Sequence, residues 1–222
     1  PHMKVTAILL AAGQGTRRKS DLPKVLHPVL GKPMIWHALE AVKQASSETP
    51  VVVVGHGAEA VTNHLGDSAR TVIQDPQLGT AHAVLQASPL LRVTGGLLLV
   101  CYADMTLLRG ETLKRLVEKQ KANRGPFSML TVFNETPRGF GRIVRAADGT
   151  VQAIVEEAVA TEAQLAIREL NVGAYCFNGD WLWEALSRIQ KNPRKGEYYL
   201  TDAVEVAVSS GSAVQAEVME DA

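Results

Sequence analysis

Leu9-Leu10-Ala11-Ala12-Gly13-Gln14-Gly15-Thr16-Arg17 runs straight on from the apolar stretch Val5 to Leu10. This junction decides the fold. A short apolar run that ends in a turn signal predicts a strand buried on both faces. The two glycines beyond it permit a tight turn and a close approach of backbone amides to a ligand. Such amides cradle phosphate oxygens, and Arg17 adds fixed positive charge behind them. The turn is not a dinucleotide fingerprint, because Arg18 stands where a third glycine is needed. It is not a Walker loop either, because G-x-x-x-x-G-K-[ST] occurs nowhere in the chain. Glycine also serves turn geometry alone, so the junction takes its meaning from the residues downstream.

Strand-like runs recur at Val5–Leu10, Val51–Val54, Thr71–Ile73, Gly96–Cys101 and Ser128–Phe133. Helical patterns lie between them, near Met34–Gln44, Ala58–Leu65, Ala81–Ala87 and Glu111–Lys121. This alternation predicts an α/β fold, a Rossmann-like and mostly parallel sheet flanked by helices. Ligands of such sheets sit beyond the carboxyl ends of the strands, which brings Gly13 and Asp104 to one rim. The second half differs. Arg142–Arg145 and Val151–Val155 flank the hairpin turn Ala147-Asp148-Gly149-Thr150. Another strand is expected at Leu170–Phe177, with helices at Glu162–Arg168, Asp180–Gln190 and Thr201–Ser209. This half reads as a smaller mixed β extension that closes the acceptor side of a cleft. No linker, repeat or low-complexity segment divides residues 1–222, so one domain is expected. Pro1-His2 ahead of Met3 reads as a vector remnant.

Composition narrows the class. Lys plus Arg and Asp plus Glu are 23 each, so no global basic field addresses nucleic acid. No apolar run is long enough for a membrane span, and no signal peptide is evident. Hydrophobic residues at 46% suffice for a sizeable core. Cys101 and Cys176 each end an apolar run and read as buried free thiols, as in a reducing cytoplasm.

The block LLAAGQGTRRKSDLPKVLHPVLGKPM, residues 9–34, resembles the signature of the sugar-nucleotide pyrophosphorylases. Within them it looks most like the N-acetylglucosamine-1-phosphate uridylyltransferases. Six further blocks follow in that family's order. They are Gln77-Leu78-Gly79-Thr80-Ala81-His82-Ala83, Tyr102-Ala103-Asp104, Gly139-Phe140-Gly141-Arg142-Ile143, Ile154-Val155-Glu156-Glu157, Asn171-Val172-Gly173 and Gly196-Glu197-Tyr198-Tyr199-Leu200-Thr201-Asp202. The resemblance implies a nucleotidyl transfer between UTP and a sugar 1-phosphate, dependent on Mg²⁺.

That reaction joins two anions, so it calls for cationic clamps and a metal rather than covalent catalysis. The resemblance implies Arg17 at the leaving pyrophosphate and Lys24 at the reacting phosphates. It assigns Asp104 to the metal, a role that suits a carboxylate following an apolar strand. It places Leu10, Ala11, Ala12, Gly13, Gly15, Thr16, Gln74, Gly79, Thr80, Tyr102 and Ala103 on the nucleotide side. Gly141, Glu156 and Asn171 fall on the sugar side, offering a backbone N–H, a carboxylate and an amide. Of Tyr198 and Tyr199, one is expected in the core. His27 and His82 are expected to be structural, since no partner carboxylate sits at useful spacing.

Five positions depart from the family pattern. Ala103 replaces a glycine, Thr106 a proline and Ala81 a glycine, and Ala158-Val159 stand for a Lys-Asp pair. The methyls of Thr106 and Ala81 are expected near the ribose or base. The last residues, Glu217 to Ala222, contain no second, asparagine metal ligand and no hexapeptide repeats. An active uridylyltransferase therefore stands beside a second reading, a binder of sugar nucleotides without turnover or a relative acting on another sugar 1-phosphate.

Overall fold

The structure is a computed structural model that describes residues 2–13, 21–92 and 95–220. The chain begins with β1 (Val5–Ala11), a small hairpin of β2 (Pro28–Val29) and β3 (Lys32–Pro33), and α1 (Met34–Ala45). Then come β4 (Val51–Val54), α2 (Ala58–Leu65), β5 (Arg70–Ile73), α3 (Thr80–Leu85) and α4 (Ser88–Leu91). The middle holds β6 (Leu97–Tyr102), α5 (Gly110–Ala122), β7 (Phe127–Phe133), β8 (Arg142–Arg145) and β9 (Val151–Val155). Last are α6 (Glu162–Leu165), β10 (Glu169–Asn178), α7 (Gly179–Leu186), α8 (Ala203–Ser209) and β11 (Val214–Met219).

The main sheet runs in the order β11-β7-β10-β6-β1-β4-β5. β1 lies at its heart, parallel to β4 on one side and β6 on the other. Its residues alternate between two cores, as strand geometry requires. Ile8 and Leu10 join Val53, Val100, Val84, Leu182 and Val204 under α3, α7 and α8. Ala7 and Leu9 join Val52, Leu99, Ile35, Leu39, Leu113 and Leu116 under α1 and α5. Each fully buried leucine or isoleucine contributes about 1.5–3 kcal/mol. Helices thus cover both faces of a mostly parallel sheet, as expected.

The second half is more deeply built in than an extension. β10 is antiparallel to both β6 and β7 and sits inside the main sheet. Only the β8–β9 hairpin projects, hung from β10 through Arg142 beside Leu170. β11 adds a parallel strand outside β7 that the sequence reading does not foresee. The helix expected over 81–87 ends at Leu85, and Pro89 opens α4 in its place. Proline is tolerated in a first helical turn but not inside a helix. Among the described residues no helix is long and apolar enough to cross a membrane.

Candidate active site

A cleft of about 500 Å³ opens at the carboxyl ends of β1 and β6, where open α/β sheets bind ligands. Leu10, Ala11, Ala12 and Gly13 form its floor. The Ala103 N–H donates to Leu10 O at 3.0 Å and ties the two strand ends together. Lys24 reaches the cleft from a helical turn whose leading residue, Pro23, is buried against Gly57. Gly57 has φ +69 and no room for a side chain, so the loop after β4 is shaped to receive that proline. Across the cleft, Lys24 Nζ donates to Asp104 Oδ2 at 2.6 Å.

The opposite wall is Gln74, Gln77, Gly79 and Thr80. The Gln74 backbone N–H extends the sheet by donating to Val54 O at 2.8 Å. Gly79, at φ +101, is pressed against the Tyr198 backbone. Tyr198 N–H donates to Leu78 O at 2.7 Å, and Ala81 N–H donates to Tyr198 O at 2.9 Å. Leu200 N–H donates to Thr80 Oγ1 at 2.8 Å. These bonds join residues about 120 positions apart and carry Glu197 to the cleft edge.

Tyr102 stands between this wall and a second cluster. Burial, with Asp104 and Glu156 nearby, pushes its phenol up to about 12, against the pull of Thr80. Gly173 lies flat on its ring, at φ +93, where a Cβ would come within 2.7 Å of Tyr102 Cε2. Beyond the ring, Gly141 packs beside Glu156 and Asn171. A Cβ on Gly141 would lie 3.4 Å from Glu156 Oε1 and 3.8 Å from Asn171 Cβ. Asn171 N–H donates to Gly141 O at 2.9 Å. The Asn171 amide braces the bulge in β10, accepting from Gly173 N–H at 3.0 Å and donating to Tyr175 OH at 2.9 Å.

Residues 6–222 match the Nucleotidyl transferase family. The chain belongs to that family. It is 47% identical to the bifunctional protein GlmU of Geobacillus sp. (strain WCH70) over 96% of its own length. It is 46% identical to the bifunctional protein GlmU of Enterococcus faecalis over 97% of its length. It spans 47% of the length of each of these relatives. Its fold matches a UDP-glucose pyrophosphorylase solved with UDP-glucose, with TM-score 0.78 and 20% identity over 98% of this chain and 90% of that one. A putative glucose-1-phosphate thymidylyltransferase from Bacillus anthracis matches with TM-score 0.79 and 21% identity, over 97% and 87% of the two chains.

The fold brings most of the expected residues together. Leu10 to Gly13, Lys24, Gln74, Gly79, Thr80, Tyr102 and Asp104 line one cleft, and Gly141, Glu156 and Asn171 meet beside it. Gly15, Thr16 and Arg17 lie outside the described residues. Ala103 does not reach the cleft surface. It is fully buried, and its part is the backbone bond to Leu10. The Ala81 methyl joins the core instead of facing the ribose or base, and Thr106 does not line the cleft. Tyr198 packs on the core, while Tyr199 sits on an acidic rim with Glu197, Glu156 and Asp202. His27 braces its own loop at Leu22 O, 3.0 Å away. Val25, Gln77, Ala83 and Glu197 complete the lining without having been expected there. All four fall in family-like blocks, but only Gln77 and Glu197 carry polar groups that could have marked them as ligand-facing.

Proposed function

We propose that this chain transfers a uridylyl group from UTP to N-acetylglucosamine 1-phosphate, giving UDP-N-acetylglucosamine and pyrophosphate. The observation that carries the reading is the adjacency of two sites across Tyr102. One offers the strand-end backbone, Lys24, Asp104 and the Gln74 amide. The other offers Gly141, Glu156 and Asn171. A phosphate oxygen of the sugar phosphate attacks the α-phosphorus of UTP. The bond from the α-phosphorus to the β-bridging oxygen breaks, and pyrophosphate carries that electron pair away. Lys24 offsets the charge of the reacting phosphates. Holding the partners aligned removes about 7–11 kcal/mol of the barrier at best.

Asp104 fits a magnesium site. It is a hard oxygen donor at the cleft, and its partner in the structure is itself a cation, Lys24. No group of three His, Cys, Asp or Glu among the described residues forms a protein-only cage. Mg²⁺ suits such a place because it takes one or two carboxylates and draws its other ligands from phosphates and water. When bound, it would neutralise charge developing on the phosphate oxygens.

Glu156 and Asn171 supply a carboxylate and an amide for sugar hydroxyls and an acetamido group. The identity to GlmU proteins supports N-acetylglucosamine over other sugars. The test is pyrophosphate release from UTP in the presence of Mg²⁺ with a panel of sugar 1-phosphates. Release is expected with N-acetylglucosamine 1-phosphate foremost. Measurable UTP binding without release for any sugar would overturn the proposal in favour of a binder without turnover.

A further inference from the structure

Gln74 is 4% exposed, and its carboxamide is held at two points. Nε2 lies 3.0 Å from Gly79 O and 2.9 Å from His82 Nδ1. A carbonyl oxygen only accepts, so the Gln74 atom facing Gly79 is the nitrogen. Its second hydrogen then goes to His82 Nδ1, which must be an acceptor. That makes His82 a neutral imidazole with its hydrogen on Nε2. The ring is carried on α3, where Gln86 Nε2 donates to the His82 carbonyl at 2.9 Å; the same nitrogen lies 3.3 Å from His82 Nε2, a contact between two donors that is not a hydrogen bond in this tautomer. Both amide hydrogens of Gln74 are thereby engaged. Its Oε1 is left over, and no described residue donates to it. It is not sealed away, since Arg142 Nε is the buried side-chain atom without a partner among the described residues. Gln74 lines the cleft, so Oε1 is available to a ligand that donates.

We infer that His82 is a specificity-determining positioning residue, which holds the Gln74 amide so that an acceptor and not a donor meets the base. The inference rests on the uridylyl reading above. Uracil presents an N–H at N3, which Oε1 can accept. Cytosine presents a bare acceptor there, so two acceptors would face each other with neither satisfied. Turning the amide over would reverse the preference. Gly79 O resists that turn, and His82 Nδ1 supplies the second restraint.

The experiment compares wild type with His82→Asn, His82→Gln and His82→Phe. UTP and CTP dissociation constants are measured by calorimetry, and kcat at saturating UTP alongside. An asparagine oxygen takes the place of Nδ1, a glutamine reaches only the place of Nε2, and phenylalanine keeps the shape without an acceptor. His82→Asn is expected to keep the wild-type preference for UTP. His82→Gln and His82→Phe are expected to lower it about tenfold, the scale of one net hydrogen bond, with kcat little changed. Should His82→Phe fail to fold, the Asn and Gln pair decides alone. An unchanged preference in the Gln variant would overturn the inference while leaving the uridylyl reading standing. A wild type indifferent between UTP and CTP would overturn the base reading and the inference with it.

Discussion

Lys24 and Asp104 are 80 positions apart, yet they share one ion pair at 2.6 Å. Their side chains are 43% and 39% exposed, so the pair adds no more than about 1 kcal/mol to stability. Under the proposed function their charges matter far more to the transition state. We predict that Asp104→Ala melts like wild type and abolishes pyrophosphate release. Lys24→Ala is predicted to lose about 10²-fold or more, the scale of a missing transition-state contact. Turnover near wild type in Asp104→Ala would refute the metal assignment. Gly173 behaves differently, because its φ of +93 and the nearby Tyr102 ring leave no place for a methyl. Gly173→Ala is predicted to cost about 1–3 kcal/mol in denaturant unfolding and to raise KM for both substrates, since Tyr102 borders both halves of the site. Unchanged KM values would show that the ring position is irrelevant. Lys24, Asp104 and Gln74 were expected at the cleft through the family resemblance, and Asp104 also because a carboxylate follows an apolar strand there. Val25, Ala83 and the Gly57 seat for Pro23 were not, because their roles exist only once distant loops dock.

The projecting hairpin shows what an element adds. Arg142 starts β8 and is 2% exposed, a costly place for a guanidinium without partners. It donates to Phe140 O at 2.7 Å and pairs with Glu157 at 3.1 Å. Glu157 also accepts from Gly139 N–H at 2.8 Å. The two residues thus staple the loop bearing Gly141 to the end of β9, which carries Glu156. Gly139 first, then Arg142, holds the Glu157 carboxyl below its ordinary value. The staple is therefore present above the ordinary carboxylate range and is lost as pH falls through the depressed folded value. Glu157→Ala is predicted to raise KM for the sugar 1-phosphate and leave KM for UTP alone, as measured by steady-state kinetics at neutral pH. Equal changes in both constants would show that the hairpin does not act on the sugar side alone. The hairpin itself was readable from Asp148-Gly149 between alternating runs. β11 was not foreseen, although Val214, Gln215, Ala216, Glu217 and Val218 alternate as a half-buried strand does; its place as a parallel edge strand on β7 is set by packing. The placement of β10 inside the main sheet was equally hidden, since a strand's neighbours are set by packing and not by its own residues.

At the scale of the whole molecule, Cys101 and Cys176 report on the sheet. They lie on the adjacent strands β6 and β10, in the core beneath α1 and α5. Both are free and buried. Burial pushes the Cys101 thiol up to about 12. It pushes Cys176 upward as well, with Cys101 adding to the effect. A thiol reacts as the thiolate, so neither should be labelled while the sheet is intact. Labelling then requires opening of the central strands, and its rate follows the population of the open state when reclosing outpaces the reagent. A ligand that binds only the folded form lowers that population by the factor 1 + [L]/Kd. We predict that a thiol reagent modifies both cysteines together, quickly in denaturant and barely without it. UTP at about 100 times its dissociation constant is predicted to slow native labelling about 100-fold, equivalent to about 2.7 kcal/mol. Mass spectrometry of the labelled protein reads both sites at once. Rapid modification of either cysteine in native buffer would show that β6 and β10 part without global opening, and the cleft built on their ends could not then be a preorganised one.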